Sequence, residues 1–149
     1  VAQENTGALV AKVRQRALEV ARDEGLELIL IDGPPGIGRP VQIAVEGADL
    51  ILVVTEPSTS GEHDLARVLD LARGMDIPAL VLVNKADLEP DVCARVERNA
   101  VEAGAKLVGR LPFDPGVPRA LALGKLPLAV PRVAAPLGEV WHAIQRHLS

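Results

Sequence analysis

Residues 50–87 read LILVVTEPSTSGEHDLARVLDLARGMDIPALVLVNKAD, and this stretch decides the fold class. It begins with a dense run of Leu, Ile and Val at 50–56 and ends with another at 79–85. Neither run alternates apolar with polar residues, which is typical of strands buried on both faces of a parallel sheet. Between the runs, apolar residues recur at helical spacing: Leu65, Val68, Leu69 and Ala72. The stretch therefore predicts a strand, a helix and a second strand.

The ends of this helix are also predicted by local sequence. Thr59 and Glu62 have the spacing of a capping box, so we expect the helix to begin at Thr59. Gly74 is placed to end it.

Strand and helix patterns continue on both sides of this stretch. Further apolar runs at 28–32 and 106–112 predict two more strands. Helical stripes precede and follow them: Val10, Val13, Ala17 and Val20 ended by Gly25, Val92, Val96 and Ala100 ended by Gly104, and Leu137, Val140, Trp141, Ile144 and Leu148. The Pro-rich segment 126–136 is interpreted as an extended connection. We therefore predict an α/β fold with a mainly parallel sheet flanked by helices, in one domain spanning 1–149.

Composition excludes several classes of function. The chain has 149 residues, 48% of them hydrophobic, a net charge of −4 and a pI near 5.4. It has no cluster of Lys and Arg, and Phe113 and Trp141 are its only aromatic residues, so we expect no nucleic-acid partner. The single cysteine, Cys93, cannot form an internal disulfide and is interpreted as a small core or boundary residue. No apolar run approaches the roughly 20 residues that cross a bilayer, so we expect no transmembrane segment and a cytoplasmic location.

The polar residues of the chain concentrate where the predicted strands end. Ligands of open parallel sheets bind outside the carboxyl ends of the strands. Reading along the chain, these ends carry Asp32, Thr55, Glu56, Asn84, Lys85, Asp87, Pro112, Phe113 and Asp114. We therefore expect one binding site at this edge of the sheet.

Asp32 is followed by the loop GPPGIG at 33–38. A carboxylate in this position can hold a metal-bound water, and Gly36 allows a backbone N–H to approach a terminal phosphate. The alternative is that Asp32 only caps the next helix and that the loop is a simple turn.

The segment NKAD at 84–87 matches the N-K-x-D pattern of nucleobase recognition. An Asn amide can donate to and accept from a purine edge, and an Asp can accept from ring or exocyclic N–H groups. The alternative is a polar turn before a helix that starts near Pro90, with Asp87 as a turn residue. The remaining histidines, His63, His142 and His147, are interpreted as surface residues, and Trp141 as core packing.

No segment of the sequence matches the phosphate-binding pattern G-x-x-x-x-G-K-[ST]. Gly124 and Lys125 form the only Gly-Lys pair, and Leu126 follows them. The sequence therefore contains the motifs for one wall of a nucleotide site and lacks those for the other.

Residues 31–88 closely resemble the second half of the MinD/ParA/Mrp-type P-loop ATPases, especially the branch with an inserted ferredoxin-like iron–sulfur domain. Residues 4–17 and 111–128 extend the resemblance. It implies a P-loop NTPase-like fold without the N-terminal phosphate-loop unit. In this resemblance Asp32 supports Mg²⁺ through water, Gly36 lies near the γ-phosphate, and Asn84 contacts the adenine. Pro112, Phe113 and Asp114 close over the base, while Lys85 and Asp87 complete a pattern that selects GTP in guanine-specific relatives.

The resemblance also implies what the chain does. Since it starts with Val1 and lacks the phosphate loop, we expect the C-terminal part of a MinD-like nucleotide-binding domain, from a longer protein or a split gene. The implied function is ATP binding and Mg²⁺-dependent hydrolysis linked to iron–sulfur proteins or partner positioning, with no catalytic residue assigned and little activity in this chain alone. An iron–sulfur cluster is expected only with an upstream segment, and the expected partner is a second copy or the missing N-terminal half. The alternatives are a GTPase of the metal-chaperone type and a non-catalytic interaction module with a vestigial site.

Overall fold

Three of the four predicted strands form one parallel sheet in the computed structural model, which describes residues 2–34, 36 and 38–148. The strands are β1 (Ile51–Thr55), β2 (Ala79–Val83) and β3 (Lys106–Arg110), in the order β1-β2-β3. Both strand pairs are parallel, which confirms the predicted fold class.

The central strand β2 is buried on both faces. Leu80, Val81 and Val83 are 1%, 0% and 0% exposed. This is the environment that an unbroken apolar run predicts, because alternate side chains of a strand point to opposite faces of the sheet. The pairing of β2 with β3 shifts after Val81, so that Leu82 lies opposite Gly109.

The predicted strand at 28–32 is wrong. This segment has no regular secondary structure, and Leu28, Leu30 and Ile31 are 46%, 87% and 38% exposed. A strand is stable only when its backbone N–H and C=O groups pair with a neighbouring strand. Within residues 2–34, 36 and 38–148 no strand pairs with this segment, so its apolar composition alone does not form a strand.

Helices precede, connect and follow the strands. The described part of the chain contains α1 (Ala2–Glu24), α2 (Arg39–Val45), α3 (Thr59–Gly74), α4 (Pro90–Glu102), α5 (Gly116–Ala122) and α6 (Pro131–Leu148). α3 connects β1 to β2 and α4 connects β2 to β3, as parallel neighbours require. None of the helices in the described residues has the length and apolar content needed to cross a membrane.

The chain divides into two compact units, Val1–Ala48 and Asp49–Ser149. In the first unit α1 packs against α2, and Arg14 Nη1 donates to the carbonyl oxygen of Ile43 at 2.8 Å. Gly25 follows α1 with a φ of +65°, as predicted for a glycine that ends a helix. The second unit contains the sheet and the other four helices. The assignment of 1–149 to one nucleotide-binding domain stays a prediction.

The start of α3 corrects the predicted cap by one residue. Ser58, not Thr59, is the N-cap, and its hydroxyl accepts from the Gly61 N–H at 3.0 Å. Glu62 does not complete a capping box, because its carboxylate binds Arg95 and Asn99 of α4 instead. The predicted core face is confirmed, since Leu65 and Leu69 are buried.

The Pro-rich segment 126–136 is not the extended connection we expected. Pro127–Ala129 forms a 3-10 turn and α6 begins at Pro131, so that Pro136 lies inside the helix. A proline in the first turn of a helix removes no hydrogen bond, because the first N–H groups have no partner in the helix. Pro136 lies further in and forgoes one bond.

Helix α6 packs on β3 through part of its predicted stripe. Leu82, Leu111 and Val140 form a buried cluster, with Leu137 and Ile144 packed against it. The prediction that Trp141 is core is wrong, since Trp141 is 41% exposed. It is next to Val140 in sequence, and successive helical residues point about 100° apart.

Candidate functional site

Six of the predicted site residues lie on two adjacent segments of the second unit. One segment follows β2 and the other follows β3, and together they carry Asn84, Lys85, Asp87, Pro112, Phe113 and Asp114. The Leu111 N–H donates to the Val83 carbonyl at 2.8 Å, and the Ala86 N–H donates to the Leu111 carbonyl at 2.9 Å. These bonds extend the β2–β3 pairing beyond the strands and hold the two segments side by side.

Asp87 joins the two segments with its side chain. Its Oδ1 accepts from the backbone N–H of Phe113 at 2.6 Å. The bond spans 26 residues, so Asp87 does more than shape the local turn before α4. Phe113 is 42% exposed beside it, which leaves its ring available to a ligand.

Arg132, at the start of α6, lies between the two acidic residues of these segments. Its guanidinium nitrogens are 3.8 Å from Asp87 Oδ2 and 3.9 Å from Asp114 Oδ2. Asp114 Oδ1 also accepts from the Gly116 N–H at 2.7 Å, at the start of α5. Sequence reasoning missed Arg132, because nothing in its own neighbourhood indicates that α6 delivers it to this edge.

Asn84 and Lys85 follow directly after β2. The Asn84 N–H donates to the Thr55 carbonyl at 2.7 Å, which ties the segment to the end of β1. Lys85 has a φ of +53°, a left-handed conformation that few residues other than glycine adopt, and its Nζ lies 2.7 Å from Glu56 Oε1. The backbone is thus held in an unusual turn where sequence reasoning predicts a binding segment.

Asp32 and Gly36 belong to the first unit. Asp32 is exposed, and Gly36 has a φ of +87°, which favours glycine. Pro35 and Ile37 of the same loop lie outside the described residues. The alternative that Asp32 caps the next helix is wrong, because Gly38 is the N-cap of α2 and no side chain caps it. That Asp32 and Gly36 border the same site as Asn84 stays a prediction.

A second polar cluster holds the end of β3 against α4. Glu97, which is 9% exposed, accepts from Arg110 Nε and, at 2.6 Å, from Arg110 Nη2. Cys93 is buried, as predicted, and its thiol lies 3.7 Å from Glu97 Oε1. Burial raises the pKa of the Cys93 thiol, and the Glu97 charge raises it further. The hydrogen bond to Glu97 raises the pKa of Arg110. The cluster fixes Arg110, one residue before the segment that carries Pro112 and Phe113.

The described residues contain no cluster of side chains that could serve as a set of metal ligands. Across residues 2–34, 36 and 38–148 no group of three His, Cys, Asp or Glu side chains could hold a metal ion.

A groove of about 360 Å³ lies at the opposite end of β3 from the candidate site, lined by Lys106, Leu107, Val108, Glu139, His142, Ala143 and Arg146. His63 is 72% exposed, which confirms its interpretation as a surface residue.

Comparisons with known proteins found related sequences, although no family model matches the chain. An uncharacterized ATP-binding protein of Methanocaldococcus jannaschii is 28% identical over 108 residues, which are 66% of this chain and 38% of that protein. An iron-sulfur cluster carrier protein of Rickettsia typhi is 28% identical over 118 residues, 76% of this chain and 36% of that protein.

A solved structure has the same fold. It is the MinD cell division protein of Aquifex aeolicus, with a TM-score of 0.72 and 25% sequence identity. The likeness covers 87% of this chain and 58% of that one. The matches to the two relatives described above cover 38% and 36% of their lengths, so this chain spans well under half of each.

Proposed function

We propose that this chain, which is related to the MinD/Mrp-type P-loop ATPases, supplies the base-side wall of an ATP site. The observation that carries the proposal is the pair of joined segments after β2 and β3. They hold the Asn84 amide and the exposed Phe113 ring at the carboxyl ends of neighbouring parallel strands. Ligands of open α/β sheets bind at this edge. The Asn84 amide can both donate and accept, as an adenine edge requires, and the Phe113 ring can pack on the base.

The proposal includes Asp32 and Gly36 on the phosphate side. A single exposed carboxylate fits Mg²⁺, which keeps several waters and is usually held by one or two carboxylates together with substrate phosphates. Bound in this way, Mg²⁺ would neutralise charge on the phosphates. Gly36 would let a backbone N–H approach the terminal phosphate, since its φ of +87° suits a residue without Cβ.

An iron–sulfur cluster does not fit the residues of this chain. Clusters are held by several cysteine thiolates, and Cys93 is the only cysteine and is 4% exposed. Burial also favours its neutral thiol over the thiolate that a cluster requires. Any iron–sulfur handling by the whole protein would therefore depend on other cysteines.

The expected partner of this chain is a second copy or the N-terminal half of the ATPase domain. β1 is an edge strand of the sheet, and Leu52 and Val54 on one of its faces are 36% and 56% exposed. The free backbone N–H and C=O groups of such an edge strand are suited to pairing with another strand. A cytoplasmic location is part of the same proposal.

The proposal is tested by titrating ATP into the 149-residue chain and following the backbone amides by NMR. We expect a dissociation constant on the order of 0.1 mM or weaker, because the base wall alone lacks most phosphate contacts. Asn84→Ala should abolish the shifts at 84–87 and at Leu111, Phe113 and Asp114. Asn99→Ala is the matched control, because it removes a side-chain amide on α4 that binds Glu62 of α3, away from the proposed site.

Hydrolysis by this chain alone should be at most marginal, since the sequence lacks the phosphate-binding pattern. Easily measured hydrolysis that disappears in Asp32→Ala would contradict this part of the proposal. Unchanged ATP binding in Asn84→Ala would contradict the base-side assignment itself.

A further inference from the structure

We infer that Asp87 is a positioning residue for the segment that covers the base, and that its carboxylate does not read the base. The inference rests on the proposed function, because it concerns the same site. The observation that carries it is the bond from the Phe113 N–H to Asp87 Oδ1 at 2.6 Å.

Reading a guanine with a carboxylate requires both of its oxygens. Guanine presents two adjacent donors, the ring N1–H and the 2-amino group, and a carboxylate accepts from both when its oxygens face the base. In this chain Oδ1 is bound to Phe113 and Oδ2 faces Arg132 at 3.8 Å. One oxygen is therefore bound to the backbone and the other faces an arginine, so a guanine would compete with groups of the protein for this carboxylate.

Adenine makes a different demand on the site. Its edge presents a ring acceptor and a 6-amino donor, which one amide group can satisfy. Asn84 supplies such an amide after β2. In the proposed function Asn84 contacts the adenine, and Asp87 holds the segment that carries Phe113.

Arg132 completes the arrangement by neutralising two carboxylates at once. It lies within 4 Å of Asp87 and Asp114, whose side chains are 47% and 16% exposed. Arg132 is 63% exposed, so water screens its attraction, and the short bond from the amide to Asp87 contributes more. Of the two side chains, Asp87 therefore contributes more than Arg132 to the position of the segment 112–114, which the backbone bonds of Leu111 also hold.

The first arm of the test needs no nucleotide. Hydrogen exchange of the Phe113 amide is measured in the 149-residue chain and in Asp87→Ala, Asp87→Asn and Asp91→Ala. We expect exchange to become at least tenfold faster in Asp87→Ala, while Asp87→Asn keeps an acceptor and stays near wild type. Asp91→Ala removes an exposed carboxylate from the first turn of α4 and should change nothing. Equal exchange in Asp87→Ala and wild type would overturn the positioning role.

The second arm measures the binding of ATP, GTP and xanthosine triphosphate to the same variants. We expect wild type to favour ATP over GTP, Asp87→Ala to bind ATP about tenfold more weakly, and Asp87→Asn to remain close to wild type. If Asp87 read the base, wild type would favour GTP and Asp87→Asn would shift toward xanthine, which has a carbonyl where guanine has an amino group. That shift would overturn the inference. If wild type bound no nucleotide, the proposed function and the adenine assignment would both fail, and the first arm would still decide the positioning role.

Discussion

Gly109 in β3 is predicted to be required because α6 packs directly on it. A Cβ at this position would lie 2.8 Å from Val140 Cγ2 and 3.6 Å from Leu82 Cδ1. Val140 and Leu82 are each 3% exposed, so neither has space to move into. Overpacking of this kind costs about 1–3 kcal/mol, and we expect Gly109→Ala to lower the free energy of unfolding by that amount.

The Val140→Ala change should partly rescue Gly109→Ala. Alone, Val140→Ala removes two buried methyl groups, each worth about 0.8 kcal/mol, and leaves a cavity, for a total of about 2 kcal/mol. In the double variant the new methyl of residue 109 occupies space that Val140 Cγ2 vacates. We therefore expect the double variant to be about 1–2 kcal/mol more stable than the sum of the single effects indicates.

Urea unfolding followed by the fluorescence of Trp141 measures this coupling. Trp141 is the only tryptophan and lies on α6 next to Val140, so its signal reports on the second unit. Gly138→Ala is the matched control, because a Cβ at Gly138 would meet nothing within 4 Å. It should stabilise α6 by up to about 1 kcal/mol and add to Val140→Ala without coupling. Additive effects of Gly109→Ala and Val140→Ala would refute the packing argument.

Two further predictions concern the cap of α3 and the buried thiol. Ser58→Ala should lower the free energy of unfolding, measured in urea, by about 1 kcal/mol, because Ser58 makes the capping bond. Thr59→Ala should lower it by less than about 0.5 kcal/mol. A larger effect of Thr59→Ala than of Ser58→Ala would restore Thr59 as the cap. Because the native pKa of Cys93 is raised, its stabilising effect is complete below the unfolded-state pKa of the thiol and is lost as pH rises through the native value. Urea unfolding at several alkaline pH values should therefore show a steeper loss of stability in wild type than in Cys93→Ala, and parallel curves would contradict this.

The sheet was predictable from sequence because each strand carries its own evidence. The runs that became β1, β2 and β3 are apolar, are bounded by turn residues and find parallel neighbours. The run at 28–32 has the same composition and is not a strand. An apolar run indicates that a segment can be a strand, whereas forming one depends on a neighbour that composition does not reveal.

Helix ends were predicted less well, for reasons that are local. Ser58 and Thr59 are both good capping residues, so the sequence alone does not choose between them. Pro131 and Pro136 resemble helix breakers, although a proline at the start of a helix is favourable. The helix ends near Gly25 and Gly104 were predicted correctly. Glycine readily adopts a positive φ, and both residues take one just after a helix.

In the candidate site, residue types alone do not determine which group a side chain binds. The sequence places Asp87 within an N-K-x-D match, and the residues of that match are all present. Its chemistry is decided by Phe113 and Arg132, which are 26 and 45 residues away and reach Asp87 only through β3 and α6. A carboxylate can satisfy its acceptor capacity with a ligand or with its own protein, and the bonds it makes to the protein limit those it can offer to a base. The motif alone would assign Asp87 to the base, whereas the structure shows its Oδ1 bound to the Phe113 N–H, and the nucleotide preference of the Asp87 variants decides between the two roles.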